Sequence, residues 1–237
     1  MLTLTKLNHQ LTFPPADIAL IEPNGLLAFG GDLSAQRLLL AYSSGIFPWF
    51  SEDEPIMWWS PDPRGILPLD HFRCSKSLQK FARNCDYRIT INNDFDQVID
   101  ICATIRRNDS GTWITTDMIN AYKNLHRLGH AHSVEVWREN SLVGGLYGII
   151  VGKVFCGESM FHKATNASKL AMLSLVELLK SQGATFIDCQ MQNPHLASLG
   201  CIEVPRHKFL SMLAQQSQQS FDKALWQPQT LNLKKWL

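Results

Sequence analysis

Asp188, Gln190 and Gln192 alternate with Ile187, Cys189 and Met191 in the stretch "FIDCQMQN" (residues 186–193). In an extended strand, a carboxylate and two amides therefore line up on one side and apolar side chains on the other. A carboxylate beside an amide can attract a cationic amine and orient it by hydrogen bonds. The same three side chains would equally suit a strand with one face in water.

Other groupings carry weaker chemistry. His126, His130 and His132 ("HRLGHAH") begin at helical spacing, but Gly129 interrupts them and no acid or cysteine joins them. No metal is expected there; cationic side chains at a helix end complement the negative pole of its dipole. "GESMF" holds Gly157–Glu158–Ser159 without the second glycine of a G-x-S-x-G elbow, so Ser159 is not read as a nucleophile. Arg73, Lys76, Lys80 and Arg83 are spaced 3, 4 and 3, which stacks them on one helical face. Residues 71–88 hold five Lys or Arg against one Asp, in a chain whose net charge is only +1. Either this is a solvated helix face, or a row of cations about 5–6 Å apart follows a nucleic-acid backbone. Phe47, Trp49, Phe50, Trp58 and Trp59 fall in a loop-rich segment. Most must plug a small core, leaving one or two to stack on a flat ligand such as a base.

The elements that hold these residues follow from turn and periodicity signals. "LSAQRLLLAYSSG" predicts a short helix capped by Ser34 and closed by Gly45, and "WWSPDPRG" suggests a boundary near residue 63. Helices are expected over Asp70–Phe81, over "DFDQVIDICATIRR" and over "TTDMINAYKNLHRLG", where Met118, Tyr122, Leu125 and Leu128 recur at helical spacing. "HSVEVWREN", "LVGGLYGIIVG" and "KVFCGESMF" read as antiparallel strands with a turn at Glu139–Asn140. A helix capped by Asn166 and closed by Gly183 then leads into the strand of Asp188, while residues 215–220 read as loop. A strand reached through a crossover helix is normally central and parallel to a neighbour. Its polar face then lines a cleft more readily than open water.

With 45% apolar and 18% charged residues, 237 residues suffice for one large domain or two small ones, and any polyanion must be held by a local patch. Six cysteines without a C-x-x-C pair suggest free thiols in a reducing cytosol. "MLTLTKLNHQ" lacks the apolar core of a secretory signal, and "LVGGLYGIIVG" is too short and glycine-broken to span a bilayer, so a cytoplasmic protein without membrane contact is expected.

Taken together, "EPNGLLAFGGDLS", "GIFPWF", "WWSPDPRGIL", "GTWI", "GHAHSVEVW", "GGLYG", "FCGESMF", "NASK", "IDCQ" and "HLASLGCIEVPR" resemble the leucyl/phenylalanyl-tRNA–protein transferases, in order from about residue 13 to 206. The resemblance implies an α+β or mixed α/β protein: a small loop-rich N-terminal domain (1–62) and a C-terminal GNAT-like (N-acetyltransferase-like) domain (63–237) with a mixed sheet. It implies an enzyme that moves Leu, Phe or Met from aminoacyl-tRNA to proteins with N-terminal Lys or Arg; a monomer is expected. The product is an N-end-rule degradation signal, and no cofactor or metal takes part. By family position Asp188, Gln190 and Glu158 stand at the reaction centre. Leu146, Phe155, Met160, Met172, Leu175 and Ile187 line the aminoacyl pocket. Trp49 and Trp113, with Tyr42 and Tyr122 as further options, meet the 3′-terminal adenosine, and Arg73, Lys76, Lys80 and Arg83 contact the tRNA backbone. Gln79 and Asn84 stand where some relatives are basic, which suggests weaker tRNA binding or a shallower salt dependence.

Two rival readings remain open to test. An acetyl-CoA acetyltransferase would need a glycine-rich pyrophosphate loop, and "HKATNASK" has no glycine. A non-catalytic module would use Asp188, Gln190 and Glu158 merely to bind a cationic amine.

Overall fold

The computed structural model describes residues 4–110 and 113–233, with the side chains of 106–110 left aside. Two residues of the "GTWI" motif and the last four of the chain lie outside the described residues. The first sixty residues form strands β1 (Thr5–Leu7), β2 (Leu26–Gly30), β3 (Phe47–Pro48) and β4 (Met57–Trp59), with helix α1 (Ala35–Ser43) between β2 and β3. They make a four-stranded sheet in the order β1-β2-β4-β3. Ser34 caps α1 as expected, accepting from the Arg37 N–H.

β5 (Arg64–Pro68) already belongs to a second sheet, together with β6 (Arg88–Ile91), β7 (Ala131–Arg138), β8 (Ser141–Val151), β9 (Val154–His162), β10 (Phe186–Gln190), β11 (Ile202–Val204) and β12 (Gln229–Leu231). Its helices are α2 (Lys76–Asn84), α3 (Phe95–Ser110), α4 (Thr116–Arg127), α5 (Ala167–Ser181), α6 (Pro194–Ser198) and α7 (Arg206–Ser217). The order β11-β5-β10-β9-β8-β7-β6-β12 is antiparallel throughout except where the α5 crossover lays β10 parallel to β9. The expected mixed architecture, a small N-terminal sheet beside a larger mixed one, is therefore observed.

That one parallel pair creates the space for a site. β9 and β10 face each other only at Ile187↔Phe155 and Asp188↔Cys156. β10 then ends at Gln190 while β9 runs on to His162 with β8, so the sheet forks. One face is covered by the apolar side of α5, including Leu170, Leu173 and Val176. The other is covered by α3, α4 and the small sheet, and here the cores merge: Leu38, Tyr42 and Trp58 share a cluster with Tyr122, Tyr147 and Phe209.

Several sequence expectations shift. Asp70–Phe81 is not one helix. A single turn at Leu69–His71 stops, and α2 begins after Ser75, whose hydroxyl accepts the Leu78 N–H at 3.1 Å. The link between is held elsewhere, the Arg73 N–H donating to the Leu199 carbonyl at 2.9 Å. Arg73 thus leaves the basic row, and Lys76, Lys80 and Arg83 keep it, all exposed on α2. Leu128 falls past the end of α4 and is 56% exposed, because the helix closes before its turn can bury it. Asn166 precedes α5 with φ +62° and its side chain caps nothing. The 215–220 segment is helical to Ser217, since Gln216 is buried against the core.

Two glycines separate backbone strain from steric fit. Gly129 has φ +80°, and a Cβ added there would meet nothing within 4 Å. Gly200 has φ +108°, and a Cβ there would stand 2.1 Å from the His71 carbonyl oxygen. Gly129→Ala should cost about 1 kcal/mol in urea unfolding, the left-handed penalty alone. Gly200→Ala should cost about 3 kcal/mol or more, because backbone must also move. Equal losses would refute the close packing of the β11 entry on His71.

Candidate active site

The site is built outward from a buried ion pair. Arg64, first residue of β5, donates from Nε to Asp188 Oδ1 at 2.8 Å and from Nη2 to Oδ2 at 2.7 Å. Its Nη1 donates to the Gly45 carbonyl at 3.0 Å, and the guanidinium lies over the rings of Phe47 (4.9 Å) and Phe209 (4.4 Å). Both partners are essentially buried, 1% and 2% exposed. Burial alone would lower the Arg64 pKa, but the Asp188 carboxylate outweighs it and raises it. A bidentate pair with its remaining N–H also engaged is the arrangement in which buried charges are tolerated.

The pair bends the strand beside it. The register slips between Asp188 and Gln190, and Gln190 takes φ +55°, a left-handed conformation costly for a residue with a Cβ. Its N–H donates to Asp188 Oδ1 at 3.0 Å, which holds the bend. Gly65 opposite allows it, because a Cβ there would come within 2.7 Å of the Gln192 nitrogen. The even polar face expected from alternation is therefore broken. Asp188 is buried beneath Arg64, Gln190 projects into the cleft, and the Gln192 amide donates to the Cys201 carbonyl at 2.8 Å.

Across the fork, Gln190 Nε2 approaches Glu158 Oε1 at 3.3 Å. A register slip in β9 opposite Tyr147–Gly148 places Glu158 at the cleft wall. Behind it, Tyr42 donates to Oε1 at 2.7 Å and Tyr122 to Oε2 at 3.0 Å, the two hydroxyls themselves 2.5 Å apart. Burial raises the Glu158 pKa to about 7, with the Asp188 charge adding to the rise, while the two tyrosines and Arg64 pull it down. Burial, and then the Glu158 charge, push both tyrosines well above the ordinary phenol range, so they remain donors.

The cleft in the fork is about 750 Å³. All six expected pocket residues line it: Leu146, Phe155, Met160, Met172, Leu175 and Ile187. Met172 and Leu175 continue one face of α5 from Ser168, which also lines it. Trp49 and Trp113 line it as well, and Trp49 is 40% exposed while Phe47, Phe50, Trp58 and Trp59 are buried. Tyr42 and Tyr122 do not line it, being buried beneath Glu158. None of Arg73, Lys76, Lys80 or Arg83 lines it either. Sequence reasoning missed Arg64, a lone arginine in a proline-rich turn with no periodic signal, and Ser168, hidden in an apolar helix.

The histidines go separate ways. His126 stacks on Phe95 at 4.3 Å and His132 on Trp226 at 4.2 Å, with burial pushing His132 down to about 3. Among the described residues no group of three or more His, Cys, Asp or Glu is placed to hold a metal.

Residues 66–214 match the model of the leucyl/phenylalanyl-tRNA protein transferases and residues 31–62 that of their N-terminal domain, which makes the protein an aminoacyltransferase. The chain is 63% identical to the leucyl/phenylalanyl-tRNA–protein transferase of Pseudoalteromonas atlantica, over 98% of this chain and 99% of that one. It is 57% identical to that of Pseudoalteromonas translucida, over 95% and 94%. The chain belongs to the leucyl/phenylalanyl-tRNA–protein transferase family. Among solved structures, L-PGS from Bacillus licheniformis aligns over 71% of this chain and 54% of that one at 13% identity, with a TM-score of 0.38, too distant to bear on the site.

The raised Glu158 pKa has a thermodynamic sign. The folded protein holds this proton more tightly than the unfolded chain, where the pKa is near 4.5. The contribution to stability is thus full below about 4.5 and lost as pH rises through about 7. Glu158→Gln keeps an acceptor for the tyrosines without the charge. Its Tm relative to the original protein should be higher at pH 8 than at pH 5. An identical difference at both values would show that the carboxyl titrates normally.

Proposed function

We propose that this cleft moves Leu, Phe and Met from the 3′ end of aminoacyl-tRNA onto the α-amine of proteins beginning with Lys or Arg, creating an N-end-rule degradation signal, with Gln190 and Glu158 at the reacting atoms. The observation that carries this reading is the junction of an apolar pocket with the Glu158–Gln190 pair at its neck. The acyl side chain enters the pocket, which brings the ester carbonyl to that pair. An aminoacyl ester is already activated. The α-amine, with pKa about 7.7–8.0, is roughly a tenth neutral at pH 7, so positioning supplies much of the acceleration. The amine nitrogen attacks the ester carbonyl carbon and loses a proton. The bond from that carbon to the ribose oxygen breaks, and the oxygen takes up a proton. Glu158, at about 7, has an affinity for protons matched to that exchange, and the Gln190 amide orients the amine.

Asp188 has a different part. Its charge is taken up by Arg64 and its oxygen holds the Gln190 N–H, which supports a positioning role without contact with the amine. Tyr42 and Tyr122, only further options for adenosine above, serve Glu158 instead, while Trp49 and Trp113 keep the stacking role. The pocket accepts side chains unbranched at Cβ, and one methylene discriminates only modestly, so Met follows Leu and Phe. The division at residues 62 and 63 belongs to the same reading, the first part supplying Phe47 and Trp49 to a cleft that one chain completes as a monomer. Lys76, Lys80 and Arg83 track the tRNA backbone, and Arg73 extends that track from outside the helix.

Transfer of label from leucyl-tRNA to an Arg-initiated peptide tests the centre. Gln190→Ala and Glu158→Gln should each lose about 10- to 1000-fold in kcat with the fold intact. Asp188→Asn should lose activity and also stability, about 3–5 kcal/mol, because Arg64 is left buried without its charge partner. Full activity in both Gln190→Ala and Glu158→Gln, or transfer of acetyl from acetyl-CoA in place of leucine, would sink the reading.

For the backbone contacts, Lys76→Ala with Lys80→Ala should weaken intact leucyl-tRNA and flatten its log–log salt slope by about one to two units. The pair should spare a leucyl-adenosine donor, which has no distant phosphates. Equal damage to both donors would make α2 a structural element only.

A further inference from the structure

The first turn of α5 contradicts what a helix start favours. Asn166 does not cap it, no Asp or Glu stands in it, and Lys169 occupies its third position, where the positive pole of the dipole opposes a cation. The Ser168 and Lys169 N–H groups find no acceptor among the described residues. Ser168 is only 5% exposed, lines the cleft, and has no hydrogen-bond partner for its hydroxyl among the described residues.

Around this corner stand two histidines and a lysine. His162, at the end of β9, and His195, on α6, line the cleft wall. His195 is held below its ordinary range by burial first, then by the nearby charges of Lys169 and His162. Lys169 forms no ion pair among the described residues. Glu158, at the neck, is the one carboxylate on the described cleft wall. Free amides, an unpartnered hydroxyl and an unpaired ammonium at a helix start make a receptor for an anion.

We infer that the start of α5 binds a phosphate of the donor, the phosphodiester that joins the terminal nucleoside of aminoacyl-tRNA to its neighbour. Its oxygens accept from the Ser168 hydroxyl, from the Ser168 and Lys169 N–H groups, and from the Lys169 ammonium. This rests on the reading of the cleft as the donor site. The acceptor cannot fill the position as well, because the end it brings to the cleft is cationic. The donor's linkage is anionic at every step along its backbone, and the nearest one lies beside the nucleoside that Trp49 and Trp113 would stack. The site also gives a use to a lysine that helix stability alone would not place there.

Two small donors isolate the phosphate: 3′-O-leucyl-adenosine and the same compound with a 5′-phosphate. With the unaltered protein and an Arg-initiated peptide, the phosphate should lower KM by about tenfold or more, as expected for charge-assisted hydrogen bonds. In Lys169→Met and in Ser168→Ala that ratio should fall towards one, whatever the absolute rates. Lys169→Met should at the same time raise Tm, since the helix start loses its opposed charge, which a merely structural lysine would not do. Equal KM for the two donors in the unaltered protein, or an undiminished ratio in Lys169→Met, would overturn the inference while leaving the cleft assignment standing. Transfer from leucyl-tRNA but from neither small donor would overturn the cleft assignment, and this inference with it.

Discussion

The Arg64–Asp188 pair is the constraint on which the rest of the site depends. One guanidinium reaches β10 through Asp188, the chain after α1 through the Gly45 carbonyl, and α7 through the Phe209 ring. Removing two charges from water is costly, and a buried pair seldom adds net stability over apolar residues of the same shape. What it adds here is placement. The second lone pair of Asp188 Oδ1 fixes the Gln190 N–H, so a left-handed glutamine persists where an ordinary strand would straighten. Remove the pair, and the Gln190 N–H loses its acceptor.

Glu158 shows the opposite use of burial. A carboxyl half-closed in an apolar fork would be neutral, and two phenols and a guanidinium draw it back towards ionisation. The balance ends near neutrality, where a group can both take and give a proton. The same balance carries a standing cost to folding above neutral pH, and the site keeps it. Strain at Gln190 and an unfavourable charge at Lys169 belong to the same pattern, local rules broken around the cleft.

Much of this was legible in the sequence. The crossover through α5 was readable from a long apolar helix between two strand patterns, and it required β10 to be central and parallel. The pocket side chains came from family position, and all of them line the cleft. Alternation failed at Gln190 because a bulge depends on Gly65 and Arg64, residues more than a hundred positions away. Tyr42 and Tyr122, further options for the adenosine by family position, stand behind Glu158 for the same reason: exposure of an aromatic ring is set by what packs over it, and for these two that is a core shared between two sheets. The basic row lost Arg73 because Ser75 caps α2 later than periodicity alone suggests.

That shared core has a consequence for how the enzyme fails. The cleft takes one wall from the small sheet and the other from the fork, and a single apolar cluster runs beneath both. A partly unfolded form that retains the pocket but has shed the first sixty residues would also lose Tyr42 from behind Glu158 and Gly45 from Arg64. The cleft wall, the support of Glu158 and the anchor of Arg64 therefore disappear together. A damaged copy loses the whole cleft at once and keeps no partial version of it.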